Sequence, residues 1–176
     1  MKKKLIVAIF IFCSSCFGGS ANTGKVKSYK PGWVMTQKSS YRVGLLSDDW
    51  KREKLGRYKS LLLYNSKAKA SLESDAFCDA SFDDASLQTL TTHLHFDLKN
   101  KKIISQKELK LDSRSALHTV AQGSVDGVNF VLDTVVIKKD NCLFDFALVV
   151  PPENYEGVKK EFEGFYSGFH FEGSLP

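Results

Sequence analysis

The chain lacks the motifs that the commonest classes of enzyme require. It has no Walker loop and no dinucleotide fingerprint, so no nucleotide cofactor is implied. The stretch Gly123-Ser124-Val125-Asp126-Gly127 lacks the G-x-S-x-G spacing of a serine hydrolase and falls in a predicted hairpin. Neither Cys78 nor Cys142 has a second ligand at a spacing that binds zinc. The sequence therefore predicts no catalytic residue, no metal site and no cofactor. We expect a protein that is not an enzyme, with a hydrolase as a weak alternative.

The chain also has no long apolar run of the kind that spans a bilayer as a helix. Its apolar segment at residues 5–13 is nine residues long, follows three lysines and precedes two serines, an order typical of an export signal. Cys13-Ser14-Ser15-Cys16 resembles the bacterial lipobox, although Cys13 stands where leucine is usual. We therefore predict a lipoprotein signal peptide over residues 1–15 and a lipid on Cys16. Soluble secretion after cleavage at Ala21 and an uncleaved anchor are the alternatives.

A lipid on Cys16 would hold the chain to a membrane. We expect a protein of the bacterial cell envelope that is anchored by its N-terminal lipid and faces the periplasm. Phe17 follows the anchor in place of the aspartate that retains some lipoproteins at the inner membrane, which slightly favours the outer membrane.

Positive charge is in small excess and is unevenly distributed. The chain has 25 basic and 20 acidic residues, a net charge of +5, but three lysines lie in the predicted leader, which leaves 22 against 20. Binding of nucleic acid therefore has little support. Residues 17–69 carry 12 basic and three acidic residues, whereas residues 70–176 carry 10 and 17. The basic half is either an ordinary solvated surface or a surface that faces anionic headgroups.

Cysteine is scarce, with four residues in the chain. Cys13 would leave with the leader and Cys16 would carry the lipid. Cys78 and Cys142 remain, and an oxidising compartment favours a disulfide between them. Two separate buried thiols are the alternative.

The mature chain divides into a tether, one domain and a short tail. Residues 16–40 are rich in Gly, Ser and Lys, and we predict a flexible tether that follows the lipidated cysteine. Trp33 and Met35 follow Pro31-Gly32, and a short strand that docks on the domain is the alternative for this part. Residues 41–171 suit a single domain with a full core. Residues 172–176 are predicted to be a tail.

Turn residues between apolar segments predict a mixed fold. Strands are expected at residues 41–46, 61–64, 68–72, 107–111, 116–124, 128–138 and 143–150. Asp126-Gly127 predicts a type I′ hairpin, because both central positions need positive φ. Helices are expected at residues 84–98, with Asp83 and Asp84 at the start, and along the apolar stripe from Tyr155 to Phe169. The class is α+β: a mainly antiparallel sheet of about six or seven strands covered by helices.

These segments resemble the PsbP-like fold, which is named for an extrinsic photosystem II subunit and is shared with bacterial lipoproteins of unknown function. The matching segments in the first part are Tyr41-Arg-Val-Gly44 with Trp50, and the strand–turn–strand around Leu111-Asp112-Ser113-Arg114-Ser115-Ala116. They continue with the Asp126-Gly127 hairpin and with the C-terminal segment that runs from Pro151-Pro152-Glu153-Asn154-Tyr155 to Ser167-Gly168-Phe169. The resemblance covers about residues 41–169. It implies an α-β-α sandwich and a binding or stabilising subunit, and it transfers no catalytic residue.

Two groups of residues are candidate sites. His93, His95 and Asp97 would share a face on a strand, but residues two apart diverge on the helix that the leucine spacing predicts, so we expect polar positions on the helix exterior and no metal. Tyr166 and Phe171 flank the apolar stripe of the second helix and are predicted as an exposed contact for a partner, with core packing as the alternative.

The sequence favours a non-enzymatic envelope lipoprotein that binds or stabilises a protein partner at the membrane. A periplasmic carrier or sensor of a small apolar ligand is the alternative, and it would need an apolar cavity between the sheet and its helices.

Overall fold

The computed structural model describes residues 25–53, 60–78 and 84–174. The predicted signal peptide and Cys16 lie outside this range. A four-stranded antiparallel sheet has the order β1-β2-β3-β11. Its strands are β1 (Val26–Lys30), β2 (Trp33–Thr36), β3 (Ser39–Arg42) and β11 (His170–Ser174).

A larger antiparallel sheet has seven strands in the order β4-β5-β6-β10-β9-β8-β7. Its strands are β4 (Trp50–Glu53), β5 (Leu61–Asn65), β6 (Ala70–Cys78), β7 (Lys99–Leu111), β8 (Arg114–Val125), β9 (Val128–Lys139) and β10 (Cys142–Val150). Helix α1 (Leu87–Leu94) and helix α2 (Tyr155–Ser167), which follows a 3₁₀ turn at Pro152–Asn154, complete the elements described. The predicted α+β class, with a mainly antiparallel sheet of about six or seven strands, is confirmed.

Two-residue turns connect the long strands from β7 to β10. In all three turns both central residues have positive φ, as a type I′ turn requires. The pairs are Asp112 and Ser113, Asp126 and Gly127, and Asp140 and Asn141. The predicted Asp126-Gly127 hairpin is confirmed, and its register places Ser124 opposite Asn129 and His118 opposite Val135.

One face of the large sheet packs against α2 and the four-stranded sheet. Side chains at alternate positions of β10 enter this core, as predicted: Phe144, Phe146, Leu148 and Val150 are all buried. Helix α2 contributes the buried side chains Tyr155, Val158, Phe162, Phe165 and Tyr166. Burial of each large apolar side chain stabilises the fold by about 2 kcal/mol before the entropy cost.

Helix α1 packs on the opposite face of the sheet, where Leu90 contacts the cluster that contains Val136 and Leu143. This helix is shorter than the predicted 84–98. Ser86 is its N-cap, because the Ser86 side chain accepts a hydrogen bond from the Thr89 backbone N–H. The predicted cap at Asp84 is therefore wrong, and Asp83 lies outside the described residues.

Strands of the small sheet occur in the segments that were predicted to be a tether and a tail. Strands β1 and β2 and the start of β3 lie within the predicted tether, so the tether prediction is wrong from Val26 onward and the alternative of a docked strand was correct for β2. Gly32, with φ of 79°, allows the tight turn between β1 and β2, and Val34 is buried. The predicted tail is wrong up to Ser174, because β11 pairs with β3.

A disulfide joins Cys78 to Cys142 across neighbouring strands β6 and β10, where the two residues are directly opposite. This pairing confirms the prediction. The bridge closes a span of 64 residues that contains α1 and β7 to β9.

Removal of the disulfide is expected to destabilise the domain. On the chain-entropy model, a closed loop of this length contributes about 4 kcal/mol. Urea unfolding of the Cys78→Ser, Cys142→Ser variant should show this loss. Reductant should lower the unfolding midpoint of the parent chain and leave that of the variant unchanged. An equal effect of reductant on both proteins would contradict a structural role for the bridge.

Candidate functional site

The predicted contact at Tyr166 and Phe171 is wrong, because both side chains are buried. Tyr166 is 5% exposed, and its ring lies 5.2 Å from that of Phe162. Phe171 is 8% exposed, and its ring lies 5.3 Å from that of Phe144. The cause is β11, which returns the chain after α2 to the four-stranded sheet and turns Phe171 into the aromatic core.

His95 is also placed differently from the prediction. It follows α1 as the C-cap residue and is buried, with its Nε2 atom 3.0 Å from the Thr134 hydroxyl. Burial, with a smaller effect from Lys101, lowers the pKa of His95 to about 4, so the ring is neutral at pH 7. Across the described parts of the chain, no three acidic, histidine or cysteine side chains form a group that could hold a metal ion.

A buried polar cluster lies between the large sheet and α2, and it comprises His118, Asp133, Tyr155 and Tyr166. The Asp133 carboxylate lies 2.6 Å from His118 Nε2 and accepts a hydrogen bond of 2.8 Å from the Tyr155 hydroxyl. The His118 and Tyr166 rings are 5.5 Å apart. Burial, followed by the charge of Asp133, raises the pKa of Tyr166 to about 12 and that of Tyr155 further.

This cluster has the residue types of an acid–base site, but its geometry is that of a structural network. Asp133 and His118 are both buried, so a substrate in solution has no direct access to them. The shared carboxylate links β8, β9 and α2, which fixes the helix on the sheet. The His118–Asp133 pair is not among the sites predicted from the sequence. The register of the Asp126-Gly127 hairpin predicts this pair, because it places His118 opposite Val135 and therefore diagonal to Asp133.

Three carboxyl groups lie on the α1 face of the sheet. Asp75 and Asp145 are directly opposite on β6 and β10, and Glu73 is two residues further along β6. Burial, and then the neighbouring Asp75, raise the pKa of Glu73 to about 8 and raise the pKa of Asp145 well above its usual range. Burial raises the pKa of Asp75 to about 6. The three groups therefore hold protons more tightly than free carboxylates do.

The most accessible aromatic residue of the small sheet is Trp33, which is 42% exposed. It lies opposite Arg42 of the neighbouring strand, and the Arg42 guanidinium is 5.7 Å from the centre of the indole ring. The Arg42 side chain also forms an ion pair with Glu172. Leu45 is 73% exposed and lies against Gly32, next to Trp33 in the chain. We call Trp33, Arg42 and Leu45 the Trp33 patch.

A second exposed region lies where the chain leaves α1 and enters β7, the edge strand of the large sheet. Phe96 is 82% exposed, and Ile103 and Ile104 are about half exposed. The lysines at positions 99, 101 and 102 are exposed between them. We call residues 96–104 the β7 tip. The pairing of β7 with β8 is irregular here, between Lys99 and Lys102 and again between Ile103 and Ser105.

Known proteins share this architecture without close sequence similarity. No family model and no curated protein matches the chain. The solution structure of cyanobacterial PsbP (CyanoP) from Synechocystis sp. PCC 6803 matches with a TM-score of 0.55 and 14% identity, over 89% of this chain and 96% of that one. The fold is PsbP-like.

Two further solved structures are of comparable similarity. LpqN of Mycobacterium tuberculosis, described as involved in cell envelope biogenesis, matches with a TM-score of 0.53 and 12% identity over 78% of this chain and 86% of LpqN. A protein of Bacteroides thetaiotaomicron VPI-5482 matches with a TM-score of 0.54 and 18% identity over 84% of this chain and 48% of its own length. At these identities the likeness establishes the fold and not the activity. Within the described ranges, neither helix is long and apolar enough to cross a bilayer.

Proposed function

We propose that this protein is a non-enzymatic cell-envelope lipoprotein, anchored through Cys16, whose domain binds a protein partner at the membrane through the Trp33 patch. The observation that carries the proposal is the exposed Trp33 side chain beneath the Arg42 guanidinium, with the exposed Leu45 against the adjacent Gly32. Tryptophan and arginine are the residues that most often dominate the free energy of protein–protein binding. An exposed apolar patch with a polar rim is typical of an interaction site.

The envelope location is supported by the leader sequence and by one structural neighbour. Lysines, an apolar segment and the Cys13-Ser14-Ser15-Cys16 motif indicate export and lipidation. LpqN, which has the same fold, is involved in cell envelope biogenesis. The outer membrane and a small apolar ligand, both raised from the sequence, stay predictions.

The partner contact can be tested by site-specific photo-crosslinking in cells. A crosslinking amino acid at Leu45 should capture one protein, and the same amino acid at Ser28, which is exposed on β1 of the same sheet, should not. Trp33→Ala should lower the yield at position 45 at least about tenfold, because loss of a central interface residue commonly costs 2 kcal/mol or more. Circular dichroism should show that the Trp33→Ala variant remains folded.

Two results would contradict the proposal. The first is capture of the same proteins with the same yield at positions 45 and 28. The second is capture at position 45 that does not depend on Trp33. The anchor is examined in the same cells: Cys16→Ser should move the chain from the membrane fraction to the soluble fraction, and its retention in the membrane fraction would contradict lipidation as the anchor.

A further inference from the structure

Basic residues in the second half of the chain are concentrated on one strand. Residues 70–176 carry 17 acidic and only 10 basic residues, yet five of those basic residues are lysines of β7. They are Lys99, Lys101, Lys102, Lys107 and Lys110. Strand β7 has one acidic residue, Glu108, and Asp97 precedes the strand. This edge of an otherwise acidic half is therefore positively charged, and it presents an electrostatic surface to anions.

Exposed apolar side chains are concentrated at the same end of the sheet. In the described ranges six large hydrophobic side chains are exposed, and four of them lie in the β7 tip or beside it: Phe96, Ile103, Ile104 and Val128. Lys99 of β7 pairs with Ser124 of β8. The next residue of β8, Val125, pairs with Val128 of β9. Two strand spacings across the sheet place Val128 about 10 Å from the β7 tip.

Protection of the sheet edge explains only part of this arrangement. Lysines on an edge strand, together with bulges, prevent the strand from pairing with another chain. That role accounts for the lysines and for the irregular pairing. It does not account for Phe96, Ile103 and Ile104, because exposed apolar side chains on an edge promote the association that the lysines prevent.

We propose that the β7 tip docks on an anionic phospholipid surface. Lys99, Lys101 and Lys102 would contact the headgroups, and Phe96, Ile103 and Ile104 would enter the boundary between headgroups and acyl chains. Basic side chains interleaved with Phe and Ile are the composition by which peripheral segments bind anionic membranes. The inference goes beyond the proposed function, and it involves none of the residues of the Trp33 patch.

The geometry favours a bilayer over a partner strand. A strand that adds to an edge needs a regular ladder of backbone groups. The two irregularities between Lys99 and Ser105 interrupt the ladder where the apolar residues are exposed. A lipid surface imposes no register and accepts side chains from an irregular segment.

Quenching of tryptophan fluorescence by brominated phospholipids tests the contact. The full chain carrying Phe96→Trp is reconstituted with vesicles of phosphatidylcholine alone or of phosphatidylcholine mixed with phosphatidylglycerol. Quenching above that of the parent chain, which contains Trp33 and Trp50, is expected only with phosphatidylglycerol, and high salt should remove it. Adding Lys99→Gln, Lys101→Gln and Lys102→Gln should lower the equilibrium constant for tip contact about 100-fold.

A matched variant separates local contact from total charge. Lys25→Gln, Lys27→Gln and Lys30→Gln remove the same charge from exposed positions at β1, and they should leave the quenching of the Phe96→Trp chain unchanged. Leu45→Trp, at the Trp33 patch, should not be quenched, and this result does not depend on whether a protein partner binds there. The proposal is overturned by equal quenching in both kinds of vesicle, by equal effects of the two lysine sets, or by capture of an acidic protein at position 96 without lipid quenching.

Discussion

Alanine at Gly44 or at Gly168 is expected to lower the free energy of unfolding by about 3 kcal/mol or more. A Cβ atom at Gly44 would lie 2.0 Å from the carbonyl oxygen of Gly164, and one at Gly168 would lie 2.3 Å from the Gly44 nitrogen. The contacts are with backbone atoms, so no side-chain rotation can relieve them. The Gly44 N–H also donates a hydrogen bond of 2.8 Å to the Phe165 carbonyl, which the displaced chain would lose.

Gly157→Ala is the matched control for this prediction. Gly157 lies in helix α2, which also contains Gly164, and a Cβ atom at Gly157 would meet no atom within 4 Å apart from its chain neighbours and the backbone of its own helix. Alanine should therefore be neutral or should stabilise the domain by up to about 1 kcal/mol, because alanine is the better helix former. Urea unfolding followed by circular dichroism measures all three variants. A loss for Gly157→Ala as large as that for Gly44→Ala would show that the effect is not the backbone contact.

Asp133→Ala is expected to lower the free energy of unfolding by about 2–6 kcal/mol, because two buried polar groups would lose their acceptor and each unsatisfied buried group costs about 1–3 kcal/mol. The variant leaves His118 Nε2 and the Tyr155 hydroxyl without their acceptor in the core. Asp133→Asn keeps the volume and one acceptor oxygen and should cost less. It remains measurable if the alanine variant does not fold.

Two comparisons make the Asp133 prediction specific. Asp49→Ala removes a carboxylate whose ion pair with Lys67 is exposed, and it should change stability by no more than about 1 kcal/mol. The double variant Asp133→Ala, His118→Ala should cost less than the sum of its single changes, because the two side chains interact directly. Strict additivity, or a loss for Asp133→Ala no larger than that for Asp49→Ala, would contradict the network.

The sequence predicted best those parts of the fold where local signals and burial agree. The Asp126-Gly127 dipeptide specifies a turn that few other residue pairs allow, and the alternation through Phe144 and Phe146 has one buried face. Helix α1 was predicted too long, because Leu98 continues the leucine spacing past the helix end. In the fold Leu98 packs under Gly123, in a cluster with Ala121 and Phe130.

The parts that the sequence did not predict depend on long-range pairing. Strands β1 and β2 are short and carry polar residues, and their pairing with each other and with β3 gives them order. Phe171 was predicted to be exposed because polar residues surround it in the sequence. It is buried because β11 pairs with β3. The Trp33 patch likewise depends on strand pairing, because Arg42 reaches Trp33 from the neighbouring strand. Sequence spacing alone gives no indication of that contact.

The pairing of β3 with β11 also has a consequence for the order in which the chain can fold. The Arg42 and Glu172 side chains, which meet across these strands, are separated by 130 residues of sequence. During synthesis β3 therefore remains without this neighbour until almost the whole chain has been made. Closing such a long loop is slow, because its entropy must be lost before the contact is gained. The small sheet would then be the last part to be completed, and a chain truncated before residue 170 would leave the β3 edge open to pairing with other chains.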